Sequence, residues 1–224
     1  MEQLITSPSA QLTIGTSQGL VKTVNEDCIE FRLDGNQTVV CLCDGHWGDT
    51  AAKLVCRTIA NNFPSSRRKA LHLLNHIELQ LLGEFGKEPP NPEIDQPPET
   101  SLVAVRFDSS SRKLTVICYG DCRILISNHG QIRFHTLPQA TWLGVFSRLG
   151  LRGRIPVKRG LTFNTLALQS NDSVWMFTDG VDECIYEKPT LSHGWVVKHN
   201  ISEIFAQIEK QGAQDNASLV ILKC

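Results

Sequence analysis

Acidic residues recur at the ends of apolar segments in this chain, and no other feature of the sequence is better suited to chemistry. The apolar run Val39–Cys43 stops at Asp44-Gly45-His46, "SVWMFTDGVDE" delivers Asp179 after another run, and "LTVICYGDCR" delivers Asp121 after a third. Glu26 and Asp27 stand just before the run that starts at Cys28, and Asp215 just before the last run, Ser218–Lys223. An Asp-Gly pair usually marks a hairpin turn, and Asp34-Gly35, between two strand-like segments, fits that reading. Asp44-Gly45 does not, because a helix pattern follows it. Gathered in one cleft, these carboxylates would repel one another and could ionise together only around a cation. An all-oxygen ligand set favours Mg²⁺ or Mn²⁺ over zinc.

The elements that must position these acids are mostly strands. Segments rich in β-branched and aromatic residues, bounded by Gly, Asn, Asp or Ser, predict strands at Leu12–Gly15, Cys28–Leu33, Thr38–Cys43, Leu102–Phe107, Leu114–Tyr119, Arg123–Ser127, Phe163–Leu168, Ser173–Phe177 and Ser218–Lys223. Three helices are expected. One is capped by Asp49 with an apolar stripe of Ala52, Val55, Cys56, Ile59 and Phe63; one starts at Ser65–Ser66 with a stripe of Ala70, Leu74, Ile77, Leu81 and Phe85. The third opens on Asn200 with Glu203, a capping-box pair, and stops near Gly212. Strands and helices do not alternate as in a doubly wound sheet, so antiparallel sheets with helices packed outside are expected. "GKEPPNPEIDQPPET" (86–100), with five prolines, reads as a surface loop inside one domain spanning 1–224.

Composition narrows the class. The chain has 224 residues, 41% hydrophobic and 20% charged, with a net charge of −1. That is an ordinary globular mix, with no global bias toward nucleic acid or an anionic membrane. No apolar run reaches the ~18 residues of a membrane span, and "MEQLITSPSAQ" lacks a signal-peptide pattern. The eight cysteines include no Cys-x-x-Cys pair, and Cys41-x-Cys43 is too close for usual zinc spacing, so reduced core thiols in a cytoplasmic protein are expected.

Five of these segments, in order, resemble the metal-dependent Ser/Thr protein phosphatases of type 2C (the PPM family): "GLVKTVNED" (19–27), "CDGHWG" (43–48), "GDCR" (120–123), "TDG" (178–180) and "DNASLVI" (215–221). The resemblance implies an α+β, αββα sandwich, with two antiparallel sheets face to face and helices on both outer faces. It implies that Asp44 bridges two Mg²⁺ or Mn²⁺ ions and that the Gly45 carbonyl ligates one. Asp27, Asp179 and Asp215 would complete the inner set, Glu26 would act through water, and Asp121 would serve a third ion or an outer position. His46 matches the candidate general acid for the leaving group. Two cations about 4 Å apart can hold a hydroxide for in-line attack on phosphorus. A phosphorylated protein is the implied substrate, with a Ser/Thr kinase or its target as partner.

The chain also departs from that pattern. Lys22 stands where the family has an arginine for the substrate phosphate, and a lysine lacks the bidentate fork. Cys122 replaces a serine, and "ETSL" (99–102) is a poor match for a small-residue pair. The segment 136–160 is a reduced version of the family's flap; its basic residues Arg148, Arg152, Arg154, Lys158 and Arg159 read as a solvated loop. Trp47 walls the cleft or simply packs. His72 and His76 read as an exposed helix face. Two other functions fit the same residues: an inactive relative that binds phosphoprotein or a partner kinase, and a metal phosphoesterase for small molecules. The presence of every metal acid favours the enzyme.

Overall fold

The computed structural model describes residues 2–6, 10–86, 96–149, 153–181 and 193–224. Strand β4 (Gln37–His46) shows how the layers arise. Its side chains alternate, so Val40 and Leu42 face one way and Cys41 and Cys43 the other, and all four are fully buried. A strand buried on both faces reads as an unbroken apolar run.

One sheet has the spatial order β1 (Glu2–Thr6), β2 (Gln11–Ser17), β12 (Ala217–Lys223), β11 (Asp172–Phe177), β7 (Arg123–Asn128), β8 (Gln131–His135). The other runs β10 (Thr162–Ala167), β6 (Lys113–Tyr119), β5 (Glu99–Asp108), β4, β3 (Cys28–Asp34), with the short β9 (Leu143–Gly144) on the start of β5. All of these pairings are antiparallel. Leu12, Val40, Leu42, Val103, Val105, Ile124, Met176 and Val220 fill the space between the sheets. Outside the second sheet lie α1 (Thr50–Asn61) and α2 (Arg67–Phe85), whose Val55, Cys56, Ile59, Leu74 and Ile77 cover Cys41, Cys43, Ala104 and Ile117. Outside the first lies α6 (Ile201–Lys210), which sets Ile201, Ile204 and Ile208 on Trp175, Phe177 and Leu219. Burying each such side chain contributes roughly 1.5–3 kcal/mol. Three short helices, α3 (Val145–Leu149), α4 (Val157–Gly160) and α5 (His193–Val196), complete the described elements. The architecture is the expected α+β sandwich.

The capping box of Asn200 and Glu203 is complete, and the Ser66 side chain accepts from the Lys69 N–H. Asp49 occupies its cap position without a side-chain cap bond. Phe85, the last of the α2 stripe, is 37% exposed. Strands β1, β8 and β9 were not expected. The β8 hairpin turns on His129 and Gly130, both at positive φ (48° and 75°), as a two-residue primed turn requires. The surface-loop expectation for 86–100 is corrected at its end: Glu99 and Thr100 begin β5, fully buried, opposite His46 and Gly45. Residues 87–95 lie outside the described residues, as do 150–152 of the segment expected to be a reduced flap.

Candidate active site

Antiparallel pairing sends the ends of alternate strands to one rim, and the acids lie there. Strand β4 runs two residues past Asp44, correcting its expected end at Cys43, so Asp44, Gly45 and His46 pair with Ser101, Thr100 and Glu99. Asp27 immediately precedes β3, whose Cys28 is opposite Cys43. Asp121 lies in the β6–β7 connection. Asp179 follows β11 and Asp215 precedes β12, two strands paired at Phe177 and Leu219.

The two sheets meet at this rim through short, specific contacts. Thr178 Oγ1 donates to Asp27 Oδ2 at 3.1 Å and accepts from Ser218 N at 3.0 Å. Asn216 accepts from Glu26 N at 2.8 Å and donates to the carbonyls of Gln18 and Val24 at 2.8 and 3.0 Å. It thereby ties the segment carrying Lys22, Glu26 and Asp27 to the Asp215 corner. Thr100 Oγ1 donates to Asp44 O at 2.6 Å. A Cβ on Gly45 would lie 2.4 Å from Glu26 O, and one on Gly180 2.0 Å from Asn216 O. Both sites therefore exclude any side chain. Asn216, Thr178 and Thr100 were not singled out from the sequence, although the first two lie inside the quoted motifs.

Electrostatics mark the cluster. Asp44 is 3% exposed. Burial first, then the charges of Asp179, Asp27 and Asp121, push its carboxyl well above the usual range. Burial pushes Asp27 up to about 7, with Asp179 and Asp215 adding to it and the Ser218 and Thr178 hydrogen bonds opposing it. Burial likewise raises Asp179 and Asp121 to about 6. Asp27 Oδ1, Asp44 Oδ2, Asp121 Oδ1 and Asp179 Oδ1 are buried oxygens without a hydrogen-bond partner. Orphaned carboxylate oxygens turned into one rim fit hard cations.

The other predicted residues adjoin this cluster. His46 Nε2 is 4.0 Å from Asp44 Oδ1, and oxygen or nitrogen atoms of Asp44, His46 and Asp121 all lie within 4.8 Å of one another. Burial lowers His46 to about 4, helped by Lys22 and Arg154 against Asp215, so the imidazole is neutral at neutral pH. Glu26 accepts from Lys22 at 3.4 Å and from Gly48 N–H, both oxygens being engaged. Lys22 also lies 3.0 Å from Asp215 Oδ1. Trp47 takes a left-handed backbone (φ 59°), uncommon for a bulky residue, in the turn that aims the Gly48 N–H at Glu26.

The basic segment is corrected at Arg154, which is not solvated. Its side chain is 10% exposed, ion-paired to the fully buried Glu99 at 2.8 Å, and set over the Trp142 ring at 3.9 Å. Trp142 in turn meets His46 edge-on at 4.8 Å. Arg148 bonds Asn75, while Lys158 and Arg159 are exposed. His72 and His76 are exposed, as expected.

No protein-family model and no curated protein matches the chain. Solved structures do. RsbX in complex with magnesium is 12% identical over 99% of this chain and 98% of that one, at a TM-score of 0.67. The S. agalactiae serine/threonine phosphatase is 14% identical over 96% and 99%, at 0.68. The Mycobacterium tuberculosis serine/threonine phosphatase PstP/Ppp is 17% identical over 96% and 98%, at 0.67. The chain thus has, over nearly its whole length, the fold of bacterial PPM serine/threonine phosphatases.

Proposed function

We propose that this chain, acting as one catalytic domain, hydrolyses phosphoserine and phosphothreonine in proteins with Mg²⁺ or Mn²⁺. The observation that carries the reading is the set of four orphaned, buried oxygens, on Asp27, Asp44, Asp121 and Asp179, at one rim of a phosphatase fold. Asp27, Asp44, Asp179, Asp215 and the Gly45 carbonyl would hold two cations, with Glu26 behind them and Asp121 at the edge. Bound there, the cations neutralise phosphate charge and activate water.

The protein's own groups set the rest. Thr178 and Asn216 hold Asp27 and the Asp215 corner in place, so the acids are positioned before any ligand arrives. Lys22, held at the rim by Asp215 and Glu26, would offer a phosphate oxygen a point charge. His46, held neutral by burial and by Lys22 and Arg154, could hydrogen-bond the leaving-group oxygen but lacks the imidazolium proton that a general acid gives at neutral pH. The test is hydrolysis of p-nitrophenyl phosphate with Mn²⁺, with and without chelator, followed by phosphopeptides. Hydrolysis that survives chelation removes the metal mechanism. Metal binding without hydrolysis indicates a binding module, and turnover confined to small esters indicates a small-molecule phosphoesterase.

A further inference from the structure

A second cluster of ligating side chains lies on the helix-facing side of the same strands. Cys41 and Cys43 project from β4 toward α1, and Cys56 comes down on them from that helix; all three are fully buried. Their sulfurs lie within 4.8 Å of one another, and Cys41 Sγ is 3.8 Å from Cys43 Sγ. Four thiolates held tetrahedrally at a Zn–S distance of about 2.3 Å stand about 3.8 Å apart. Cys28, opposite Cys43 in register, shares the same face of the sheet. Its carbonyl accepts from Cys56 Sγ at 3.3 Å, and Cys28 is the one residue of the four that is not fully buried. None of the four is in a disulfide.

The two-residue spacing of Cys41 and Cys43 argues against zinc along the chain. The fold changes that argument by adding a third sulfur from α1 and by setting Cys28 of β3 on the same face beside the three. We propose that Cys41, Cys43 and Cys56, with Cys28 as fourth ligand, form a binding site for a soft divalent ion, Zn²⁺ foremost. Each ligating thiol would release its proton to solvent. Softness keeps the two sites chemically distinct: thiolates select zinc, and the carboxylate rim selects Mg²⁺ or Mn²⁺. Cys43 and Asp44 are neighbours on β4 and point to opposite faces of the sheet, so each site is built from its own side of one strand. An ion held by β3, β4 and α1 would pin the helix to the sheet behind the acids. This inference does not depend on the phosphatase reading.

Cobalt tests it, because sulfur-to-cobalt charge transfer absorbs strongly and oxygen ligation produces no such band. The reduced, metal-free full chain, kept in excess Mg²⁺, is titrated with Co²⁺. The expected result is a thiolate charge-transfer band that saturates at a single equivalent, bleaches on adding Zn²⁺, persists in Cys224→Ser, and is lost in Cys56→Ser and in the double variant Cys41→Ser/Cys43→Ser. No band in the wild type overturns the proposal, as does a band that the cluster variants retain. Should those variants fail to fold, alkylation of Cys28 in the native wild type decides: protection by Zn²⁺ but not by Mg²⁺ supports the site, and equal labelling overturns it.

Discussion

Arg154 grips Glu99 through two hydrogen bonds to one carboxylate oxygen, from Nε at 3.0 Å and Nη2 at 2.8 Å. The pair joins the segment before α4 to the first residue of β5, the residue opposite His46. Glu99 is fully buried, and Arg154 sets a cation against it.

Arg154→Met should therefore be strongly destabilising, by about 3–5 kcal/mol, because it takes a cation away from a buried carboxylate. The double variant Glu99→Gln/Arg154→Met should recover much of that loss. Urea melts of the two single variants and the double variant check this, and additive losses would show that the two side chains act separately.

Asp44→Asn should have opposite effects on activity and on metal-free stability. Replacing a buried carboxyl whose ionised form burial and three other aspartates disfavour should raise the melting temperature of the metal-free protein. The same change should lower metal-dependent hydrolysis at least about a hundredfold, or ~2.7 kcal/mol of transition-state stabilisation. Melting curves in chelator, set beside rates in Mn²⁺, measure both.

The acids also set a pH dependence. Asp27 at about 7 and Asp121 and Asp179 at about 6 lie above their ordinary range near 3.9. Between pH ~4 and ~7 the folded, metal-free chain therefore holds protons that the unfolded chain has released. The contribution is fully present below the unfolded value and is lost as pH rises through the folded values. The metal-free protein should melt higher at pH 5.5 than at pH 8 by more than Asp44→Asn does, and Mg²⁺ should raise the melting temperature more at pH 8. Equal metal-induced shifts at both values would contradict proton–metal competition at this rim.

Lys22→Arg tests the phosphate contact. A bidentate fork should lower KM about threefold while kcat stays within about twofold. Steady-state kinetics on a phosphopeptide decide it, and an unchanged KM would remove Lys22 from substrate binding.

Much of this protein is legible along the chain because short-range physics writes it there. Nine strands, the helices α1, α2 and α6 and the Asn200–Glu203 cap follow from side-chain period and local hydrogen bonding. The acids could be picked out because a carboxylate at the end of an apolar strand has no local partner. Pairs whose members are far apart in sequence were not legible. Arg154 read as a solvated cation because nothing near it announces Glu99, 55 residues away. Asn216 and Thr178 act through bonds to Glu26 and Asp27 that span 190 and 151 residues. Cys41 and Cys43 read as two core thiols on one strand face, and only the packing of β3 and α1 brought Cys28 and Cys56 beside them. Residue type and period, which are local, determined the elements and the kind of chemistry. Strand register and layer packing, which depend on contacts between distant segments, decided which of those groups stand close enough to act together.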